Sequence, residues 1–208
     1  MSVEVKFCGI KTLEHARLAS QIGADYLGFV FYEKSIRYVS PEDAARIADQ
    51  LRGHIKLVGV FVNENPERLN EVADLVGLDL VQLSGDEKPE VISYIRKPVI
   101  KAIHVLDAYT TRSRVEIYKP LCEMILLDTY SKDKMGGTGR VFDWSIAREI
   151  SAFYPVMLAG GLSPANVQEA IRMVRPKAVD VSSGIETDGV KDPIKMKAVI
   201  EAVKGVEV

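Results

Sequence analysis

Eight short, mostly apolar runs recur along the chain, separated by stretches in which apolar residues return every third or fourth position. The runs are VEVKFC from Val3, ADYLGFVF from Ala24, IKLVGVFV from Ile55, LDLVQL from Leu78, PVIKAIHV from Pro98, MILLDT from Met124, PVMLAG from Pro155 and AVDVSS from Ala178. Continuous apolar runs of this length predict strands buried on both faces. Helix starts mark the intervals: Thr12 before LEHARLAS, then Ser40-Pro41, Asn65-Pro66, Ser163-Pro164 and Asp192-Pro193. Proline suits the first helical position because its missing amide hydrogen would find no partner there. In the fifth interval, TTRSRVEIYKPL has poor periodicity and reads as a short or irregular helix.

Eight strand-helix units without a break in composition predict an α/β fold, a (β/α)8 TIM barrel, as a single domain over residues 1–208. The alternative is an open doubly wound sheet, but CGIKT at the first turn lacks the G-x-G-x-x-G of a dinucleotide-binding unit. A length of 208 residues is near the low end for this barrel, so connections must be short and inserted domains are not expected.

Charge narrows the partners. Lys plus Arg (27) nearly balances Asp plus Glu (29), and no basic run tracks a phosphate backbone, so no nucleic-acid partner is expected. No apolar segment approaches the roughly 18 residues of a membrane span, and MSVEVKF lacks the features of a signal peptide. The expectation is a cytoplasmic protein with no membrane partner. Cys8 and Cys122 are far apart and have no ligand-spaced Cys or His nearby, which predicts neither a disulfide framework nor a metal site.

In a (β/α)8 barrel the active site is built from the carboxyl ends of the strands and the loops after them. Those positions carry Cys8-Gly9, Arg37 in FYEKSIRY, Asn63, Gln82 with Ser84, His104, Asp128, Gly160-Gly161, and Ser182-Ser183-Gly184. Turn chemistry alone would account for part of this concentration of small and polar residues. The last two loops say more: paired glycines in LAGGLSPANV and small residues in VDVSSGIE leave room for backbone amides to hold an anion. Loops seven and eight are the usual phosphate site of this barrel, which predicts a phosphorylated small-molecule substrate.

Asp128 follows the apolar MILL and reads either as a cap or turn former in LDTYS or as a carboxyl group whose apolar approach raises its pKa so that it can donate a proton. Cys8 lies on the same rim and reads either as inert filler or as a thiolate base activated by a nearby positive group. Asp180, within AVDVSS, is a third site candidate or a polar group satisfied by neighbouring strands. Arg37 is a solvated surface arginine or a two-pronged clamp for a carboxylate, with Phe31, Tyr32 or Tyr38 covering an apolar ring. KMGGTGRVFDW has the glycines of a mobile lid, Gly136 to Gly139, although flexibility alone would explain them.

Taken in order, KFCGIKT, GFVFYEKSIRYVSPEDA, VGVFVNE, VQLSGDE, LLDT, GGTGRVFDW, LAGGLSPANV and VDVSSGIE closely resemble the phosphoribosylanthranilate isomerases of tryptophan biosynthesis. The resemblance covers nearly the whole chain and implies a (β/α)8 barrel that performs an Amadori rearrangement without metal or cofactor. It implies Cys8 as general base, Asp128 as general acid, Arg37 on the anthranilate carboxylate and loops seven and eight on the phosphate. It also implies that a side chain at Gly9 would crowd the sugar.

Two positions depart from the family pattern: Ser84 stands where histidine is usual, and Lys11 where threonine commonly follows CGI. Gln82 then becomes the more secure contact on the fourth strand. His104 is a rival base that the resemblance does not support. A metal-dependent pentose-phosphate epimerase would want several histidine and carboxylate ligands at strand ends, and a non-catalytic phosphometabolite sensor would need neither Cys8 nor Asp128. The assembly expected is a monomer or homodimer.

Overall fold

The computed structural model describes residues 2–128 and 144–206. Eight parallel strands close into a barrel: β1 (Glu4–Cys8), β2 (Tyr26–Val30), β3 (Lys56–Phe61), β4 (Leu80–Leu83), β5 (Val99–His104), β6 (Met124–Asp128), β7 (Val156–Ala159) and β8 (Ala178–Val181). The ring is completed by pairing of β1 with β8, in which Lys6 lies opposite Asp180. All eight strands fall within the eight apolar runs of the sequence.

Alternation along each strand separates two cores. Tyr26, Val58, Leu80, Ile100, Met124, Leu126 and Met157 pack together inside the barrel. Their neighbours Leu27, Leu57, Val81, Ile103, Leu127 and Leu158 point outward against the helices. Each strand is therefore apolar on both faces, which is why the runs appear continuous rather than alternating.

The outer layer holds α1 (Leu13–Ile22), α2 (Pro41–Ala48), α3 (Pro66–Val76), α4 (Ala108–Tyr118), α5 (Ser145–Ser151), α6 (Val167–Val174) and α7 (Pro193–Lys204). Thr12, Ser40, Asn65 and Asp192 each accept a hydrogen bond from a first-turn amide, as their positions predict. Ser163-Pro164 behaves differently: the Asn166 side chain accepts from the Ser163 amide, closing a turn, and α6 starts three residues later than expected.

Two more expectations need correction. The fifth interval holds a regular helix of 11 residues, because Asp107 caps it and Thr111, Val115 and Tyr118 bury a face at i, i+4 and i+7. After β4, by contrast, the chain forms only a 3₁₀ segment, Pro89–Tyr94. A buried ion pair occupies this region: Lys101 Nζ lies 2.8 Å from Glu87 Oε2 and also donates to the carbonyl of Gly85 at 2.7 Å. After β8 a short antiparallel hairpin intervenes, β9 (Glu186–Thr187) with β10 (Val190–Lys191). The glycine-rich sixth loop, Gly136 to Gly139, and Thr129 lie outside the described residues. No helix among the described residues is long and apolar enough to cross a membrane.

Candidate active site

The carboxyl ends of the strands surround a cavity of about 380 Å³. Arg37, Gln82, Asp128, Gly160, Gly161, Asp180, Ser182 and Ser183 all line it, together with Ser84 and His104. Residues from 37 to 183 thus converge because every parallel strand delivers its last inward side chain to the same end. A larger cleft of about 1110 Å³ lies on the outer wall between α4, α5 and α6 and contains none of these groups.

Cys8 is absent from the residues lining the strand-end cavity; it is buried, 7% exposed, at the end of β1, where Ser182 Oγ, which does line the cavity, donates to its carbonyl at 3.1 Å. Gly28 lies opposite in register; a Cβ there would stand 3.1 Å from the thiol sulfur and 3.3 Å from Lys6 Cε. The thiol and the lysine stem occupy the space that a side chain at 28 would need. Lys6 itself is fully buried, with Nζ 3.0 Å from Asp180 Oδ2. Burial alone would pull the Lys6 ammonium down, but Asp180 and Cys8 hold it above its ordinary value. Burial pushes the Cys8 thiol up, Lys6 opposes this most strongly, and Asp180 adds to the rise. The nearby positive group expected from sequence is therefore present, yet desolvation outweighs it.

Asp128 ends β6 and is partly exposed, with Oδ2 3.6 Å from His104 Nδ1 on the adjacent strand. Gln82 donates from Nε2 to Ser84 Oγ at 3.0 Å. Ser84 thus fixes one half of this amide. Gln82 Oε1 and Asp180 Oδ1 are buried with no hydrogen-bond partner among the described residues. Such atoms are costly unless something fills the cavity and bonds to them.

Arg37 is held on one edge: Nε and Nη2 donate to the two oxygens of Glu186 at 2.7 and 2.6 Å. Gly9, in the left-handed region at φ 79°, has to lack a side chain because a Cβ would approach Arg37 Cδ to 2.6 Å. A side chain at Gly9 would therefore crowd the arginine. Of the aromatic residues expected over a ring, Phe31 packs on Phe61, and Phe31, Tyr32 and Tyr38 all line a separate cavity between the second and third loops. Tyr32 alone packs beside Cys8, Val30 and Val60.

Gly160 and Gly161 both have positive φ, and the last loop continues into a short 3₁₀ turn, Ser183–Ile185. Gly184 is absent from the cavity wall. A Cβ there would come within 1.8 Å of the Leu162 carbonyl oxygen, so it serves the close packing of loops seven and eight. Sequence reasoning missed Lys6, Glu186 and Lys191. Lys6 had a signal, since it stands two residues before Cys8 and must share its face of β1. No group of three His, Cys, Asp or Glu side chains among the described residues is placed to hold a metal ion.

Ionisable side chains gathered at the strand ends around one cavity are the layout of a (β/α)8-barrel enzyme. Residues 5–202 match the family model described as N-(5'phosphoribosyl)anthranilate (PRA) isomerase. An N-(5'-phosphoribosyl)anthranilate isomerase of Geotalea uraniireducens is 48% identical over 203 residues, 97% of this chain and 98% of that protein. The crystal structure of phosphoribosyl anthranilate isomerase from Thermotoga maritima superposes with a TM-score of 0.89 at 46% identity, covering 98% of this chain and 100% of the other. Another, TM-score 0.86 at 44% identity and with the same coverage, is a complex of phosphoribosyl anthranilate isomerase with reduced 1-(o-carboxyphenylamino)-1-deoxyribulose 5-phosphate. The chain belongs to the N-(5'-phosphoribosyl)anthranilate isomerase family, enzymes of tryptophan biosynthesis.

Proposed function

We propose that the chain converts N-(5-phosphoribosyl)anthranilate to 1-(2-carboxyphenylamino)-1-deoxyribulose 5-phosphate with Asp128 as general acid and Cys8 as general base. Asp128 gives its proton to the furanose ring oxygen as the C1–O bond breaks and the anilino nitrogen's electron pair forms a protonated C1=N imine. The imine acidifies the C2 hydrogen, which the Cys8 thiolate removes, leaving an enolamine. Loss of the C2 hydroxyl proton and protonation at C1 then give the ketone. Each positioned proton transfer of this kind contributes about 10²- to 10⁴-fold.

The observation that carries the reading is the gathering of Asp128, Asp180, Gln82 and Arg37 around one cavity, with Cys8 buried at the end of β1 next to Lys6 and Gly28 and joined to the cavity-lining Ser182 through its carbonyl. The buried, unpartnered Gln82 Oε1 and Asp180 Oδ1 suit sugar hydroxyls. Arg37 takes the anthranilate carboxylate, and the loops of Gly160-Gly161 and Ser182-Ser183 take the phosphate. No cofactor is required by these steps, and the setting is cytoplasmic, as a monomer or homodimer. The test is direct: purified protein mixed with phosphoribosylanthranilate should remove its anthranilate fluorescence at a rate proportional to enzyme. Unchanged fluorescence at high enzyme concentration would refute the reading.

A further inference from the structure

Behind Arg37 stands a cluster that the reaction just described does not use. Glu186 on β9 lies directly across from Lys191 on β10, and Lys191 Nζ donates to Glu186 Oε1 at 2.7 Å. Lys191 also donates to the Ser182 carbonyl at 3.1 Å, and Ser182 in turn bonds to the Cys8 carbonyl. The Glu186 and Lys191 side chains are 8% and 4% exposed, whereas Arg37 retains 25% and is the member that lines the cavity. A guanidinium has two edges that can each grip a carboxylate in parallel bonds. Glu186 occupies the edge formed by Nε and Nη2, which leaves Nη1 and the second Nη2 hydrogen.

We infer that Glu186 is a positioning residue that fixes the side-on edge of Arg37 so that the end-on edge presents to the substrate's aryl carboxylate. Lys191 makes this arrangement tolerable to an anion. Two cations against one carboxylate leave the cluster net positive, so the incoming carboxylate does not meet an uncompensated Glu186. A guanidinium swinging on its flexible stem would have to give up that freedom on binding and would bind more weakly. The hairpin after β8 thus connects the loop beside the proposed phosphate site to the specificity group on the loop after β2.

The inference rests on Arg37 being the carboxylate clamp, so the experiment separates the two. Inhibition constants are measured for reduced 1-(o-carboxyphenylamino)-1-deoxyribulose 5-phosphate and for its analogue lacking the carboxylate. Glu186→Gln, nearly isosteric, should weaken the first by about tenfold, the cost of one charge-assisted hydrogen bond's orientation. It should leave the second within about twofold. Glu186→Asp, which keeps the charge but retracts it, should fall between Glu186→Gln and wild type and serves if the amide variant misfolds. In an Arg37→Ala background, Glu186→Gln should have no further effect.

Equal weakening of both inhibitors would make Glu186 merely structural. Tighter binding of the carboxylated inhibitor to Glu186→Gln would make it a competitor for Arg37, and additive effects in the double variant would disconnect the two residues. Any of these overturns the inference while the clamp stands. If Arg37→Ala itself fails to distinguish the inhibitors, the clamp is wrong and the positioning role falls with it.

Discussion

A thiol at the end of a strand is a base only when it can release its proton, and at Cys8 burial and the ammonium of Lys6 pull in opposite directions. Burial wins in the free protein. The thiolate therefore appears only as pH rises through a value above the ordinary thiol range, and kcat/KM, which reports the free enzyme, should climb from neutral into alkaline pH. Lys6→Met removes the largest opposing influence and should displace that climb to higher pH, with a parallel displacement of the ultraviolet thiolate absorbance. A profile already flat on the acidic side of neutrality would contradict this balance. Cys122, outside the site and with its thiol pushed up to about 11 by burial, should leave turnover unchanged as Cys122→Ser. Arg37→Ala should raise KM by about ten- to a hundredfold with a small loss in kcat, as expected when binding common to ground and transition states is removed. A loss confined to kcat would instead give Arg37 a part in the chemistry.

At the scale of elements, what was legible in the sequence was local. Caps at Thr12, Ser40, Asn65 and Asp192 bond to amides two or three residues away, so a short stretch contains both partners. Asn166 misled because its side chain turns back to Ser163, and α4 was obscured because its cap, Asp107, precedes the stretch that showed poor periodicity. Pairings between separated stretches left no local trace: Arg37 and Glu186 are 149 residues apart, and Lys101 on β5 pairs with Glu87, 14 residues earlier in the loop after β4. The latter pair yields a stability prediction. Burial raises the Glu87 carboxyl, but Lys101 and the Asn63 amide overcome this and hold it below the usual range. A lowered carboxyl contributes stability that is present above its unfolded pKa and lost as pH falls through its folded value. Glu87→Gln should therefore flatten the acid side of the stability profile. Glu87→Ala should cost about 3–5 kcal/mol in chemical denaturation, because it leaves Lys101 buried and unpaired. A loss below about 1 kcal/mol would show that the pair is replaceable.

Over the whole molecule, closure of eight parallel strands makes residues that are remote in sequence into neighbours. Asp128 comes from β6, Asp180 from β8, Gln82 from β4 and Cys8 from β1, and none could be placed beside the others without the barrel. The apolar runs predicted that architecture because a parallel sheet covered on both sides requires them. The inward position of Lys6 follows from the same alternation. The hairpin that carries Glu186 and Lys191 does not, since two-residue strands have too little pattern to announce themselves. The central claim is that Asp128 and Cys8 move the two protons of the rearrangement. It is tested most directly by the turnover of Cys8→Ala and Asp128→Asn with phosphoribosylanthranilate, followed by fluorescence, on proteins shown by circular dichroism to be folded. Each should lose at least about a hundredfold in kcat; near-normal turnover by either folded variant would contradict the account.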